Sequence, residues 1–516
     1  MRRPVSVLLS LALAATAAVT LTVVGAPSAA AQTSFTITGG GWGHGVGMSQ
    51  YGAKGRADAG QSTTQILNAY YAGAAIEARS LAGPKVKLGD ATTTEVAASG
   101  GAIYGTAEGG APVLLAAPGQ RLSIRMFGSA IIVQRVSPDL GPIGVLAASG
   151  RYYLTWDAGN SLSISATGRG YAYGRIKLVD NSTSFSMVLE GETMQQYLYG
   201  LGEMPASWHS EALRAQAIAG RSFAAYRLAH PQGTEFDMYA SVSDQAYVGT
   251  TQAAGTFGAN WVGAVDTTDA QVLTSGGQVI QAFYSSSNGG YTERSDYVFS
   301  ATLPYLVATP DPLDQATGNP NFSWTRTYTG DELGAWLTSA GRGHVGSVTA
   351  VSIGGNVGAS GRVDRATVTV TGTGGSTTMT GNQFRSAVNA GAASSRDLLS
   401  TKFAVSGPAA PVAPTDTTPP DLKVLVGTPM RFGSTGDICA FVMSDEVAIT
   451  AIHVRIGGVD LRSRVGGVGP DFPQFLCINI PPKLRPKRAI TTTLTGAALD
   501  AAVNLRFVQR QVTIAR

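Results

Sequence analysis

The stretch VLEGETMQQYLYGLGEMPASWHSEALRAQAIAGRSFAAYRLAH, residues 188–230, combines a strand end, two helix patterns and a glycine-proline turn. Thr193 can cap a short helix over MQQYLYG, because a threonine hydroxyl accepts from the free N–H groups of a first turn. A longer helix is predicted from near Ser207 to about Leu228. One face of it is mostly alanine and glycine, which predicts a buried helix that another element approaches closely.

Glu203 lies on the turn between these helices, followed by Met204 and Pro205. Functional side chains often occupy such turns, where a rigid element supports them. Apolar neighbours such as Met204 and Trp208 would desolvate the carboxyl, raise its pKa and let it donate a proton near neutral pH. The structural alternative is a negative charge that stabilises the start of a helix. Glu211 is a competing carboxyl, although a solvated carboxylate is the default within a helix.

A glycine-rich block, GGGWGHGVGMSQYGAKGRADAG, occupies residues 39–60. It fits neither the G-x-G-x-x-G register of dinucleotide-binding loops nor the G-K-[ST] ending of phosphate-binding loops. Glycines at alternate positions suit a close approach of the backbone to another chain or to a sugar. Trp42 can offer a stacking face to a sugar. His44 and Gln50 can bind sugar hydroxyls or orient Glu203, and the alternative is a glycine-rich turn around a core tryptophan.

Four further residues are candidates for contact with a ligand. Gln216 and Arg221 interrupt the small-residue helix and can face a cleft, with surface exposure as the alternative. Ser287 and Asn288 lie in the turn SSSNGG, and the segment QVIQAFYSSSNGGYTE that contains it is the clearest pattern of a strand followed by a turn within residues 235–405. The G-x-S-x-G elbow of serine hydrolases is absent, so we interpret this turn as a sugar-contacting loop.

The composition and the N-terminus indicate an exported protein. Charged residues make up 14% of the 516 residues, against roughly a quarter in average domains. The 37 Lys and Arg nearly balance the 33 Asp and Glu, which argues against nucleic acid as a partner. Residues 1–31 have the basic start, apolar stretch and Ala-Ala-Ala ending of a signal peptide cleaved after about Ala31. An uncleaved membrane anchor is the alternative.

Sequence patterns divide the remainder of the chain. Residues 80–185 are β-rich, and residues 406–420, SGPAAPVAPTDTTPP, form a Pro-rich linker. Residues 421–516 carry about six short strand patterns, which predict a β-sandwich domain. Cys439 and Cys477 in that domain are an even pair in an exported chain and predict a disulfide. The predicted fold class is α+β, with an Ig-like β-sandwich at the C-terminus.

Two additional helices follow from local signals. Thr63 or Thr64 can cap a helix in TTQILNAYYAGA, whose apolar residues recur at helical spacing. The segment GDELGAWLTSAG, later in the chain, predicts the other helix.

The segment LGEMPASWHSEALRAQAIAGRSFAAY, residues 201–226, resembles the core motif of the SpoIID/LytB family of sporulation and cell-wall proteins. The segments SDQAYVGT, AFYSSSNGGYTE and PYLVATPDP and the glycine-rich block resemble the same family. In SpoIID itself the glycine-histidine block lies near the end of the domain, whereas it comes first here, as if permuted. The resemblance implies a SpoIID/LytB-like domain over residues 32–405 whose start packs where the family's end would.

The resemblance implies a peptidoglycan lytic transglycosylase, which cleaves between N-acetylmuramic acid and N-acetylglucosamine and leaves 1,6-anhydromuramic ends. The family's catalytic glutamate maps onto Glu203. One carboxyl suffices, because the 6-hydroxyl of muramic acid attacks C1, whereas most glycosidases need two carboxyls. Two alternatives remain open: a non-catalytic peptidoglycan-binding protein that enhances a cell-wall amidase, and a structural envelope protein.

The expected partners are therefore glycan strands of peptidoglycan and, in the enhancer alternative, a cell-wall amidase, with the protein located outside the cytoplasm at the cell wall. The basic cluster KLRPKR, residues 483–488, suggests attraction to an anionic envelope polymer, with a solvated loop as the alternative. Some family members carry a cysteine/histidine zinc site. Both cysteines of this chain lie in the C-terminal domain, so we predict no metal site in the catalytic region and no cofactor.

Overall fold

The computed structural model describes residues 33–128, 130–136, 151–299, 301–316, 318–407, 421–425, 430–431, 437–444, 448–456, 459–468, 474–499 and 505–515. The chain forms two compact units, which divide between Gly407 and Pro408. The predicted signal peptide and most of the predicted Pro-rich linker lie outside the described residues.

The first unit mixes helices with many short strands, and the predicted α+β class is confirmed. Its elements up to the long helix are β1 (Ser34–Gly39), β2 (Met48–Ser49), α1 (Gln50–Asp58), α2 (Thr63–Tyr70), β3 (Ala75–Ala78), β4 (Val86–Ala91), β5 (Thr93–Ala98), β6 (Ile103–Ala107), β7 (Val113–Ala116), β8 (Arg121–Phe127), β9 (Ala130–Arg135), β10 (Arg151–Trp156), β11 (Leu162–Ile164), β12 (Arg169–Tyr171), β13 (Arg175–Asp180), β14 (Phe185–Glu190), α3 (Met194–Tyr199) and α4 (Ser210–Ala229). The elements after it are β15 (Met238–Tyr239), α5 (Thr250–Ala254), α6 (Gly258–Asp266), β16 (Gln271–Ser275), β17 (Gln278–Val279), β18 (Tyr284–Ser285), α7 (Ser295–Val298), β19 (Trp324–Thr329), α8 (Gly330–Ser339), β20 (Val348–Gly354), β21 (Thr367–Gly372), β22 (Gly375–Thr380), α9 (Gly381–Gly391) and β23 (Phe403–Ser406).

The β-rich segment predicted over residues 80–185 forms a sheet of order β15-β4-β14-β13-β10-β6-β7 and another of order β12-β11-β5-β8-β9. Strand β14 leads directly into α3 and the turn that carries Glu203. It is buried along its whole length, because Phe185, Met187 and Leu189 point to one face and Val188 to the other. A strand of the protein core therefore leads into the segment that carries Glu203.

Helices α3 and α4 follow the local signals closely. Thr193 caps α3 as predicted, since its side chain accepts from the backbone N–H of Gln196. Helix α4 begins at Ser210, later than predicted, because a turn in which the N–H of Trp208 donates to the carbonyl of Pro205 precedes it. The small residues of α4 allow close packing, because a Cβ added at Gly220 would lie 2.8 Å from the Leu201 side chain.

Two local predictions are wrong in detail. Ser62, and not Thr63 or Thr64, caps α2, because Ser62 forms a reciprocal capping box with Gln65. The pattern QVIQAFYSSSNGGYTE does not form one long strand. It contains only the short strands β17 and β18, and β18 pairs in parallel with β2 of the glycine-rich block.

The two ends of the first unit lie side by side. Strand β1 pairs antiparallel with β23, with Gly39 opposite Phe403, and its other edge pairs with β19. The backbone N–H of Gly40 also donates to the carbonyl of Lys402 at 3.0 Å. The chain therefore enters the glycine-rich block directly beside the segment at which the unit ends.

The second unit contains strands on two sheets around a core of aliphatic side chains. Its strands are β24 (Leu422–Leu425), β25 (Met430–Arg431), β26 (Asp437–Ser444), β27 (Ala448–Ile456), β28 (Val459–Val468), β29 (Gln474–Asn479), β30 (Ile490–Leu499) and β31 (Leu505–Ala515). The sheet orders are β24-β26-β29 and β25-β31-β30-β27-β28. The predicted disulfide is confirmed, since Cys439 on β26 is bonded to Cys477 on β29. The Ig-like assignment stays a prediction.

Candidate active site

The turn that carries Glu203 is held by a second segment of the chain. The N–H of Gly202 donates to the carbonyl of Ala246 at 2.8 Å, and the N–H of Val248 donates to the carbonyl of Gly200 at 2.7 Å. Between them, Leu201 and Tyr247 face each other in an antiparallel bridge. This pairing aligns the Ala246 amide with the Glu203 carboxyl.

Glycine is required at two positions of this turn because the paired segment is so close. A Cβ at Gly200 would lie 2.5 Å from the ring of Tyr247, and a Cβ at Gly202 would lie 2.7 Å from Val248. Contacts of that length force one of the two segments to move. The glycines noted in the sequence around Glu203 thus permit the pairing that orients its carboxyl.

The Glu203 carboxyl is partly exposed and has hydrogen-bond donors on several sides. Its Oε1 accepts from the Ala246 N–H at 2.6 Å, and its Oε2 lies 3.4 Å from Nε2 of Gln50. The Tyr284 hydroxyl donates a further hydrogen bond. Burial raises the pKa of Glu203 above its ordinary value, while these three hydrogen bonds act in the opposite direction. The carboxyl is therefore poised to exchange a proton.

A buried chain of hydrogen bonds positions Tyr284. Nε2 of Gln245 donates to the Tyr284 hydroxyl at 2.7 Å, and Oε1 of Gln245 accepts from the Tyr197 hydroxyl at 2.8 Å. Gln245 is fully buried, so its amide has no water to satisfy it instead. Gln245, Ala246 and Tyr284 were not among the predicted site residues. The only signal was their place within segments that resemble the family.

Gln50 and Gln216, both predicted site residues, meet beneath the carboxyl. Nε2 of Gln50 lies 3.3 Å from Oε1 of Gln216 and also contacts Glu203. Gln216 is fully buried, and its own Nε2 has no hydrogen-bond partner among the described residues. The side-chain amide of Gln50, in the first turn of α1, therefore contacts both Gln216 of α4 and Glu203.

Glu203 opens into a cleft of about 690 Å³. The side chains that line it come from several separate segments, among them the glycine-rich block, the Glu203 turn, residues 242–244, β18 and α9, and include Trp42, His44, Gln50, Glu203, Tyr284 and Arg385. Trp42 is 50% exposed and Val242 is 96% exposed, so both present apolar surface at this cleft. The volume of this cleft falls within the range of ligand-binding sites in proteins.

His44 lines the same cleft but uses its ring nitrogens to hold the backbone. Its Nδ1 accepts from the N–H of Val46 at 3.0 Å, and its ring hydrogen bonds to the backbone of Tyr284. Burial, together with the charge of Arg362, lowers the pKa of His44 to about 4. The imidazole is therefore neutral near pH 7 and connects the glycine-rich block to β18.

Three predicted contact residues lie in the protein interior and do not line the cleft. Arg221 donates to the carbonyls of Gln271 and Val265. Ser287 donates to Asp314 at 2.7 Å, and Asn288 donates to Asp311 at 2.8 Å. These side chains are engaged in supporting loops behind the site.

Glu211, the competing carboxyl, serves another element. Its Oε2 accepts from both the N–H and the hydroxyl of Thr63 at 2.6 Å, and it forms an ion pair with Arg214. These hydrogen bonds, Thr63 first, lower its pKa below the ordinary value. Glu211 is thus an ionised carboxylate at the N-terminus of α2 and not a proton donor near neutral pH.

Across the described residues, no helix is both long enough and apolar enough to cross a membrane. The same residues contain no group of three or more His, Cys, Asp or Glu side chains arranged to hold a metal ion.

The first unit is an α+β fold that places a half-buried carboxyl of raised pKa in an open cleft, an arrangement that general acid–base chemistry uses. Residues 186–275, which include the Glu203 turn and α4, match the family model described as Stage II sporulation protein, SpoIID. This segment of the chain is therefore similar to the SpoIID/LytB family, as the motifs predicted.

Curated relatives agree with this assignment. The chain is similar to the amidase enhancer of Bacillus subtilis strain 168, with 38% identity over 133 residues, which is 25% of this chain and 16% of that protein. It is also similar to stage II sporulation protein D of the same strain, with 29% identity over 186 residues, which is 33% of this chain and 53% of that protein. The match therefore spans about one sixth of the first relative and about half of the second.

Proposed function

We propose that this protein is an exported peptidoglycan lytic transglycosylase in which Glu203 is the catalytic acid and base. The observation that carries the proposal is the Glu203 carboxyl, whose pKa is raised by burial and which opens into a cleft of about 690 Å³. The match of residues 186–275 to the SpoIID family model and the similarity to stage II sporulation protein D favour a cell-wall polymer as the ligand of this cleft. The bond cleaved joins N-acetylmuramic acid to N-acetylglucosamine.

The reaction needs one proton, which Glu203 donates and then recovers. The protonated carboxyl gives its proton to the glycosidic oxygen as the bond from that oxygen to C1 breaks. The carboxylate left behind is stabilised by the Ala246 N–H and the Tyr284 hydroxyl. It then takes the proton of the muramic acid 6-hydroxyl as O6 bonds to C1. A 1,6-anhydro ring closes, no water is consumed, and the acid is restored.

The neighbouring carboxylate supports a mechanism with a single catalytic carboxyl. Asp244 lies at the same cleft, but its side chain is buried and paired with Arg227 at 2.8 Å. It also accepts from the N–H of Tyr239 at 2.9 Å. A carboxylate held in this way is a poor base for activating water, which an inverting hydrolase would require.

Trp42 and Val242 supply apolar surface for sugar rings at the cleft, and Gln50 supplies an amide close to the reacting carboxyl. Secretion through a cleaved signal peptide would deliver this site to its substrate. The basic cluster at residues 483–488 would add attraction to an anionic polymer of the envelope.

A second candidate function is enhancement of a separate cell-wall amidase. The similarity to a protein named amidase enhancer, at 38% identity, favours it. In that case the cleft would bind glycan strands without cleaving them. A purely structural role in the envelope would require neither cleavage nor a raised pKa at Glu203.

The decisive experiment incubates purified glycan strands lacking stem peptides with wild type and Glu203→Gln and identifies the new ends by mass spectrometry. We expect anhydromuramic ends from wild type and a rate lower by about 10²–10⁴-fold from Glu203→Gln, since one general acid contributes that much. Glu211→Gln is the matched control. It alters a carboxylate bound to Thr63 and should cleave like wild type.

The other outcomes separate the alternatives. Reducing muramic ends would indicate hydrolysis and a second functional carboxylate. Binding of glycan by both proteins without new ends would favour the enhancer. Equal rates of cleavage by Glu203→Gln and wild type would show that Glu203 is not the catalytic acid.

A further inference from the structure

We propose that Arg385 is a carboxylate-binding residue of the cleft and selects glycan strands by a free carboxylate. Arg385 lies on α9 (Gly381–Gly391), far along the chain from the Glu203 turn, and lines the same cleft as Trp42 and Glu203. It is partly exposed there. The inference rests on the proposed function for the identity of the polymer.

The guanidinium of Arg385 is anchored to the backbone on one side. Its Nε donates to the carbonyl of Leu398 at 2.8 Å, and its Nη2 donates to the carbonyl of Leu399 at 3.3 Å. The carbonyl of Leu399 also accepts from the N–H of Gly43 at 3.1 Å. The carbonyl oxygen of Leu399 therefore binds both Arg385 and the part of the glycine-rich block next to Trp42.

This anchoring leaves donors available. Guanidinium has five N–H groups, and the Nη1 group of Arg385 has no hydrogen-bond partner in the part of the chain that the structure describes. Within that same part, no carboxylate forms an ion pair with Arg385, and Asp364 and Asp397 influence it only through longer-range attraction. Burial lowers the pKa of Arg385, but an arginine remains charged near neutral pH.

The other ionisable groups of the cleft leave this charge unbalanced. Asp244, which lines the cleft as well, is paired with Arg227. Glu203 accepts hydrogen bonds from Ala246 and Gln50, and the lowered pKa of His44 keeps that ring neutral. A ligand that enters the cleft therefore meets an unpaired positive charge at Arg385.

A carboxylate matches this site best among the groups of a peptidoglycan strand. A planar guanidinium donates parallel hydrogen bonds to a carboxylate, and such charge-assisted bonds are stronger than bonds to neutral hydroxyls. Muramic acid carries a lactyl carboxyl group, which is charged when free and neutral once a stem peptide is attached through an amide. Stem peptides carry carboxylates of their own, so the two sources must be distinguished by experiment.

The test measures binding in the Glu203→Gln protein, so that cleavage does not consume the ligand. The probes are a glycan tetrasaccharide with free lactyl carboxylates, the same tetrasaccharide with those carboxyls converted to methylamides, and a tetrasaccharide that carries stem peptides. Affinities are measured by calorimetry for the Glu203→Gln protein, called the parent, and for double variants that also carry Arg385→Gln or Arg385→Lys. Thermal unfolding of each variant reports on folding.

We expect the parent to bind the free-carboxylate probe about 10-fold to 100-fold more tightly than the methylamide probe, the range for a hydrogen bond between charged groups. Arg385→Gln should abolish that preference and leave methylamide binding unchanged, and Arg385→Lys should retain part of it. A preference for the stem-peptide probe that Arg385→Gln abolishes would identify peptide carboxylates as the source.

Equal loss of affinity for all three probes in Arg385→Gln would indicate a structural role and overturn the inference. Equal affinity of the parent for the free and methylamide probes would also overturn it, whether or not wild type cleaves glycan. Failure of the parent to bind any probe would contradict both the proposed substrate class, glycan strands, and the role of Arg385. Cleavage by wild type, assayed separately, decides the proposed function alone.

Discussion

The backbone N–H of Ala246 lies 2.6 Å from Oε1 of Glu203, although 43 positions separate the two residues in the chain. This hydrogen bond stabilises the ionised carboxyl, whereas burial favours the protonated form. Hydrogen bonds from Tyr284 and Gln50 also stabilise the ionised form and lower the pKa of Glu203. The protonation of Glu203 is therefore set by a balance between burial and three donors, each of which can be altered separately.

Removal of the Tyr284 hydroxyl should move the pH dependence of cleavage upward. The hydroxyl lowers the pKa of Glu203, so Tyr284→Phe raises it further. In the proposed mechanism cleavage needs the protonated carboxyl and declines as pH rises through the pKa of Glu203, so this decline should occur at higher pH in the variant. The measurement is the rate of anhydromuramic end formation as a function of pH.

Tyr71→Phe is the control for that shift. It removes a hydroxyl that donates to the carbonyl of Phe283 at 2.9 Å and makes no hydrogen bond to Glu203. Its pH profile should follow wild type. A Tyr284→Phe profile that also follows wild type would show that the hydroxyl does not act on the reacting carboxyl.

Gly202→Ala should displace the Glu203 turn. The added Cβ would lie 2.7 Å from Val248, so the paired segment must move, at a cost of about 1–3 kcal/mol in the free energy of unfolding. Cleavage should fall together with stability. Urea unfolding and the cleavage assay measure the two effects.

A double substitution tests whether the contact between the new Cβ and Val248 causes these effects. Val248→Ala removes the side-chain atoms that the new Cβ would meet, so it should restore part of the cleavage lost in Gly202→Ala. Gly263→Ala is the matched control, because Gly263 is exposed on α6 and a Cβ there meets nothing within 4 Å. Strictly additive effects of the Gly202 and Val248 substitutions would contradict the proposed contact.

His44→Gln should change how stability depends on pH. The pKa of His44 falls from 6.5 to about 4 on folding, so the unfolded chain binds the extra proton first as pH decreases. The contribution of His44 to stability is thus present above pH 6.5 and is lost between about 6.5 and about 4. The loss is at most about 3 kcal/mol, at roughly 1.4 kcal/mol per unit.

The measurement is the free energy of unfolding of wild type and His44→Gln at several values between pH 7 and pH 4. We expect the advantage of wild type to shrink steadily as pH decreases. A difference that stays constant across this interval would mean that His44 is not held neutral by its surroundings.

Loss of the disulfide should destabilise the second unit and spare the reaction. Cys439 and Cys477 are 38 positions apart, and a closed loop of that length is worth roughly 4 kcal/mol. Replacement of both by alanine should lower one transition in scanning calorimetry of the full chain. The rate of glycan cleavage at 25 °C should be unchanged, and a loss of cleavage would show that the catalytic unit depends on the disulfide.

Most predictions that rest on residue type and spacing along the chain are confirmed. Thr193 caps α3 because its partner, Gln196, lies three positions away, and the small-residue face of α4 follows from helical spacing. The even cysteine pair predicted the disulfide, and the motif around Glu203 predicted the family. The cap of α2 was placed one residue or more too late, because Ser62 and Thr63 are both good caps and only the capping box with Gln65 decides between them.

The tertiary structure alone decided which groups surround Glu203. Gln50, Ala246 and Tyr284 reach the carboxyl through strand pairings and turns between distant segments, and Arg385 reaches the cleft from α9. Local periodicity does not encode such pairings. Ser287 and Asn288, chosen for their residue types, turned out to bind buried aspartates behind the site. The identity of the catalytic candidate was therefore present in the sequence, while its protonation, its donors and the charge of its cleft arose from folding, because each depends on distances between residues far apart in the chain.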